Sequence, residues 1–269
     1  MGEDMGEATK LTHFSLFSGI GGIDIAAEWA GFETVGQCEW ADYPTKVLEK
    51  HWPDVPRWRD IKTLTGESFY ERTGRKTVDV VSGGFPCQPF SAIGQRKGEE
   101  DDRFLWPEMA RIIRELRPRW VIGENVVGIL NMGVEQTLAE LGGLGYKGGI
   151  FVIPACAMQA FHQRKRVFII ANNDSILRPS VKPQTIKCHK NVLEKQKEWE
   201  QFFIESSGNN EFEFREEDES RICRMDDGFP EDVDRLKCLG NAVVPQQIYP
   251  ILKAIAEIEF DTGEPEETA

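Results

Sequence analysis

The chain contains no apolar run that approaches membrane-spanning length, and its opening residues, Met1 to Thr9, are acidic with no apolar centre. A spanning helix needs about 20 apolar residues and a secretory leader a core of about 7–15. Neither is expected, and Gly6 stands where myristoylation prefers Ser or Thr. No C-x-x-C pair occurs among the six cysteines Cys38, Cys87, Cys156, Cys188, Cys223 and Cys238. The expectation is therefore free thiols in a reducing cytoplasm. Cys188, His189, Cys223 and Cys238 fit no zinc spacing, so no metal is expected. An excess of cations is also missing. The net charge of −13 argues against a broad basic surface for nucleic acid. Acid collects at 205–234 and 257–267, whereas cations gather at 95–97, 111–119, 163–166 and 178–197. A local basic cleft stays open beside the reading of these runs as solvated faces. There is no internal repeat.

The 269 residues suffice for one good-sized domain and a small second lobe. Residues 1–10 read as a flexible N-terminus and 11–171 as the first part of the main domain. A polar region at 172–233 is followed by a return to the main domain at 234–259 and an acidic tail at 260–269. His13 to Phe17 reads as a buried strand running into Ser18-Gly19-Ile20-Gly21-Gly22 and a helix, Ile23 to Ala30. Strand, glycine turn and helix make a nucleotide-binding opening, although a plain tight turn fits the glycines equally well. A second strand, Phe32 to Cys38, ends at Glu39, where a carboxylate suits ribose hydroxyls. After a helix from Pro44 to Trp52, Asp60-Ile61 ends a short third strand. Asp60 there either accepts from an adenine amino group or caps a turn.

The organising stretch is Val80 to Ser91. An apolar strand breaks at Gly83-Gly84, and Cys87 follows between Pro86 and Pro89. Both prolines fix φ and remove a donor, so neither a helix nor a central strand continues. A thiol on a stiff turn past a strand end sits where open α/β sheets place their chemistry. A lone buried cysteine would be inert packing. From Ser91 to Asp102 apolar residues are nearly absent, which reads as a mobile loop. A helix from Pro107 to Leu116 shows Met109, Ile112, Ile113 and Leu116 on one face. Strand Trp120 to Ile122 then leads to Glu124-Asn125-Val126, an acid on the same rim as Cys87 if the sheet is parallel. A helix at Val134 to Leu141 precedes strands at Ile150 to Ile153 and Val167 to Ala171. Before the last strand, Arg164 and Arg166 share a face opposite Lys165. The final helix should bury Ile248, Leu252, Ile255 and Ile258 and kink at Pro250.

These blocks together resemble the DNA (cytosine-5)-methyltransferases in order and spacing. Phe17 to Gly22 is similar to the family's S-adenosylmethionine loop, and Pro86-Cys87-Gln88 to its nucleophile motif. Glu124-Asn125-Val126 is similar to its acid motif, Arg164-x-Arg166 to its base-edge arginines, and Gly240-Asn241-Ala242-Val243 to its closing motif. His162 stands where the family usually has Gln, Phe161 where Pro is common, and the recognition segment is short. The resemblance implies an α/β fold, the Rossmann-like class I methyltransferase architecture. That architecture has a mixed seven-stranded sheet with helices on both faces, here with a small irregular recognition lobe. It implies methyl transfer from S-adenosylmethionine to cytosine C5 in duplex DNA, with the base flipped out.

The resemblance further implies residue roles. Cys87 is the nucleophile, with Glu124, Asn125, Arg164 and Arg166 as its catalytic company. The cofactor site comprises Phe17, Ser18, Gly19, Ile20, Gly21, Gly22, Glu39, Trp40, Asp60, Ile61, Pro86, Leu105, Asn241 and Ala242. DNA is met by Gln88, Ser91, Arg96, Lys97 and Arg103. The implied protein is a cytoplasmic monomer, on the nucleoid when bound to DNA, with a cognate restriction endonuclease as a candidate partner. Two rivals share these residues: a tRNA cytosine-5 methyltransferase, whose Cys-Phe-Thr signature is absent, and a catalytically degenerate DNA-binding relative.

Overall fold

The computed structural model describes residues 10–86, 105–131, 133–158, 164–173 and 242–260. The chain divides into one unit of Met1–Ile176 with Val233–Ala269 and a second of Leu177–Asp232, which lies outside the described residues. In chain order the first unit runs β1 (Thr12–Leu16), α1 (Gly22–Trp29), β2 (Glu33–Cys38), α2 (Asp42–His51), β3 (Arg57–Trp58), α3 (Gly66–Thr73) and β4 (Val80–Gly83). It continues α4 (Trp106–Leu116), β5 (Trp120–Val126), α5 (Val134–Gly143), β6 (Lys147–Ile153), β7 (Arg166–Asn172) and α6 (Pro245–Phe260).

The seven strands form a single sheet in the order β3-β2-β1-β4-β5-β7-β6. β1 to β5 pair in parallel, and β7 runs antiparallel to both β5 and β6. Alternation along β1 splits the core between the two faces. Phe14 and Leu16 join the cluster with Phe69, Ile112, Ile113 and Leu116. On the other face Val80, Ile122 and Phe168 pack with Ile23 and Ala26 of α1 and Ile248, Leu252 and Ile255 of α6.

The apolar face expected on α4 is fully buried. Other expectations shift. β5 does not stop at Ile122, because β7 pairs with it as far as Val126. Asp60 does not end a strand; β3 stops at Trp58, and the Asp60 carboxylate caps a turn by accepting from Lys62 N at 2.9 Å. On α6, Ile258 is 56% exposed, while Ala256 and Glu259 occupy the inner face. The helix continues through Pro250. Sequence reading omits α3, in which Phe69 is the buried residue. A capping box fixes its start: Thr65 Oγ1 accepts from Ser68 N at 3.1 Å and Ser68 Oγ from Thr65 N at 3.0 Å.

His13 on β1 is fully buried. Its imidazole meets Ser82 Oγ on β4 at 2.7 Å and Thr34 Oγ1 on β2 at 3.3 Å. Burial pulls its pKa down to about 3. An unfolded chain takes up a proton here below about pH 6.5 that the folded chain refuses. The stability advantage of the wild type over His13→Gln is therefore complete above that pH and shrinks as pH falls toward about 3. Denaturant titrations of both proteins between pH 7 and 5 measure it. The comparison is needed because Asp24, raised by burial to about 6, titrates with the opposite sign.

Candidate active site

The site forms at the carboxyl ends of β1, β2, β4 and β5. After β1 the backbone turns through Phe17, which takes a left-handed φ of 52°. A bulky residue in that region stores strain, a feature that clusters at ligand sites. The Ser18 hydroxyl is spent inside the turn, donating to Ser15 O at 3.1 Å. The glycines divide their work. Gly19, at φ +55°, faces open space within 4 Å of where a Cβ would stand. Gly21 instead makes room for the Trp52 ring, and a Cβ on Gly22 would collide with the Val243 carbonyl oxygen. Gly19 is thus the open cradle of the turn, and Gly21 and Gly22 are packed by protein.

Glu39, at the end of β2, accepts from Gly19 N and from Ala41 N, both at 2.8 Å. Its carboxylate therefore stands over the open glycine. Trp40 is 72% exposed, which rules out a core role. Ile61 is buried, and its carbonyl accepts from Arg111 of α4 at 2.8 Å, as does that of Leu64. Arg111 thus holds the turn carrying Asp60 and Ile61. Neither Arg111 nor Trp52 is a sequence-predicted site residue. Their sequence signals are a charge within a helix and a tryptophan before a proline.

Beyond β4, Gly84 lies beside the acid: a Cβ there would come 2.9 Å from Glu124 Oε2. Phe85 is buried against Trp106, with ring centroids 5.1 Å apart. Asn125 Nδ2 donates to Phe85 O at 3.0 Å, and Leu105 N donates to Pro86 O at 3.5 Å. The approach to Cys87 is therefore tied down from β5 and from the start of α4. Cys87 itself, Gln88, Ser91, Arg96, Lys97, Arg103 and Asn241 lie outside the described residues.

Glu124 is 8% exposed. Arg166 Nε lies 2.8 Å from its Oε1. Burial pushes its pKa up to about 7 against the opposing pull of Arg166 and Arg164. The carboxyl group can thus hold a proton at neutral pH, with Oε1 anchored and Oε2 toward Gly84. Arg164 donates through Nη2 to Ala242 O at 2.6 Å. Its Nε is buried with no hydrogen-bond partner among the described residues, a donor waiting for an acceptor. Cys38, by contrast, is disqualified as a nucleophile: burial, Glu39 and Asp60 push its thiol up to about 12.

The strand order, the glycine turn after β1, the acid closing β2 and the protonatable acid on β5 define a Rossmann-like, S-adenosylmethionine-dependent methyltransferase fold. The family model for the C-5 cytosine-specific DNA methylases matches residues 11–221, and the chain belongs to that family. Among similar proteins, the Type II methyltransferase M.Eco47II of Escherichia coli is 34% identical over 168 residues, covering 60% of this chain and 39% of the relative. M.AquIA of Picosynechococcus is 34% identical over 174 residues, covering 59% and 70%. M.HhaI of Haemophilus parahaemolyticus is 32% identical over 172 residues, covering 61% and 50%. The crystal structure of Spodoptera frugiperda DNMT2 shares the fold at 22% identity and a TM-score of 0.53, covering 65% of this chain and 54% of that one. The match spans 39% of the length of M.Eco47II, 50% of M.HhaI and 70% of M.AquIA.

The site fits S-adenosylmethionine. Gly19 leaves the space beside it open, the Glu39 carboxylate stands over that space, and the Asp60–Ile61 turn brings a carboxylate and a buried apolar side chain together, a chemistry that suits a nucleoside.

Proposed function

We propose that this protein transfers a methyl group from S-adenosylmethionine to C5 of cytosine in duplex DNA. The observation that carries the reading is Glu124: buried, anchored by Arg166, able to keep its proton near pH 7, and beside the Gly84–Pro86 segment that leads to Cys87. Bound S-adenosylmethionine supplies an electrophilic methyl group on a sulfonium. Phe17, Gly19, Glu39, Asp60, Ile61 and Leu105 hold it, with Asn241 and Ala242 closing the site.

Cytosine C5 is too weak a nucleophile unless C6 first gains a substituent. The Cys87 thiolate adds at C6, and the electron pair moves through the ring toward N3. Glu124 meets it there with the Oε2 proton, while Arg166 holds Oε1. The free Nε of Arg164 suits the O2 edge. Asn125 keeps the Phe85 carbonyl, and so the approach to Cys87, in place. As C5 takes the methyl group the N3 proton returns to Glu124; a base, water in this reading, then removes the C5 proton, its electron pair restores the C5–C6 double bond, and the thiolate departs. C6 is hidden in stacked DNA, so the base is flipped out at a cost of about a few kcal/mol. Gln88, Ser91, Arg96, Lys97 and Arg103 are the residues of this reading that meet the DNA. A restriction endonuclease of the same specificity is the corresponding partner.

Labelled cofactor offered duplex DNA or tRNA tests the substrate, and bisulfite sequencing of DNA from expressing cells tests site and activity together. Label in DNA at a fixed sequence is expected. Label confined to tRNA replaces the substrate, and label in neither removes the activity.

A further inference from the structure

The chain leaves β6 at Ile153 and returns to the sheet at Arg166, two residues after Arg164. One side chain from α6 ties both ends. Gln247 is fully buried, and its Nε2 donates to Ile153 O at 2.7 Å and to Arg164 O at 3.0 Å. Two carbonyl oxygens brought together need two protons, and a primary amide carries both on one nitrogen. Arg164 answers from the other side, donating through Nη2 to Ala242 O at 2.6 Å. Within the same short segment the Val243 carbonyl fills the space at Gly22 of the glycine turn. Residues 242–247 therefore touch the cofactor turn at one point and grip Arg164 at two.

A guanidinium is a rigid planar fork. Fixing one Nη on Ala242 and the arginine's own backbone on Gln247 fixes the direction of Nε–H. That Nε is the buried donor with no hydrogen-bond partner among the described residues. We propose that Gln247 is a positioning residue that aims Arg164 at the target base through paired bonds between the first turn of α6 and the start of β7. This rests on the reading that Arg164 meets the base edge. It adds that the aim is set from the C-terminal helix, by a residue that touches neither base nor cofactor.

The test is a double-mutant cycle on the full chain, read as single-turnover methylation of duplex DNA with saturating cofactor. Gln247→Met keeps length and packing but has no donor. It is expected to slow methylation about tenfold, the loss of one or two hydrogen bonds, with the S-adenosylmethionine Kd held within about twofold. In the Arg164→Ala background the same change should slow methylation no further. Equal slowing in both backgrounds would mean that Gln247 acts on the fold at large and would overturn the proposal. So would a loss of cofactor affinity matching the loss of rate, which places the effect at the Gly22 contact. If Arg164→Ala leaves the rate untouched, the base-edge reading of Arg164 falls and the proposal falls with it, an outcome distinct from the other two. Gln247→Asn, which keeps both donors on a shorter stem, runs the same cycle should the Met variant not fold. A deficit in Gln247→Asn that vanishes beside Arg164→Ala supports the proposal, and an undiminished one overturns it.

Discussion

Glu124→Gln is expected to lower single-turnover methylation about 10²–10⁴-fold while leaving DNA affinity nearly unchanged. Glutamine keeps the volume of the side chain and an oxygen to accept from Arg166, so the buried pocket is conserved in shape. It offers N3 an amide hydrogen that cannot be transferred. The rate then loses the proton that balances electron flow into the ring, whereas binding loses little. The pH profile carries the sharper signature. Burial raises the acid to about 7, with both arginines pulling the other way. The reactive form of Glu124 is the protonated one, so the ratio of the wild-type rate to the Glu124→Gln rate falls as pH rises through about 7. Glutamine does not titrate, and the variant should lack this dependence. Equal losses in rate and in DNA affinity would reduce Glu124 to a binding residue.

The sequence made β1, β4 and α4 legible because each buries an unbroken or strictly periodic apolar set, such as Met109, Ile112, Ile113 and Leu116. It hid α3, whose stability comes from a Thr65–Ser68 cap and one buried ring, Phe69, with no repeating stripe. It ended β5 early because Glu124 and Asn125 read as loop residues; pairing with β7 keeps them in the strand. The rim of the site, with Glu39 over the glycine turn and Glu124 beside Gly84, follows from strand ends that periodicity can locate. What periodicity cannot show is contact between distant segments. Gly21 and Gly22 look like cofactor glycines, yet the Trp52 ring and the Val243 carbonyl occupy their space. Arg111 and Gln247 bond to backbone carbonyls remote in the chain, which no local pattern announces.

In Cys87→Ser, methylation should fall by on the order of 10³-fold or more while S-adenosylmethionine still binds. The exchange replaces a thiol that is a few per cent ionised at neutral pH with a hydroxyl that is essentially never ionised. Neither of the two described cysteines is expected to take over. Cys38 is buried with its thiol pushed up to about 12, and Cys156 is exposed on the short turn after β6. Glu39, Trp52 and Val243 hold the glycine turn, so the Kd for S-adenosylmethionine is expected within about twofold of wild type. DNA carrying 5-fluorocytosine adds a direct readout, because fluorine at C5 cannot leave as a proton and the enzyme stays bonded to C6. The wild type should give a complex that survives denaturation and Cys87→Ser none. Glu124→Gln should give the same complex more slowly, because it keeps the thiolate and lacks the transferable proton. Substantial turnover by Cys87→Ser would mean that the ring is activated without covalent addition, and Glu124 would then have to act on an unsubstituted cytosine, which its position beside the Gly84–Pro86 approach does not explain.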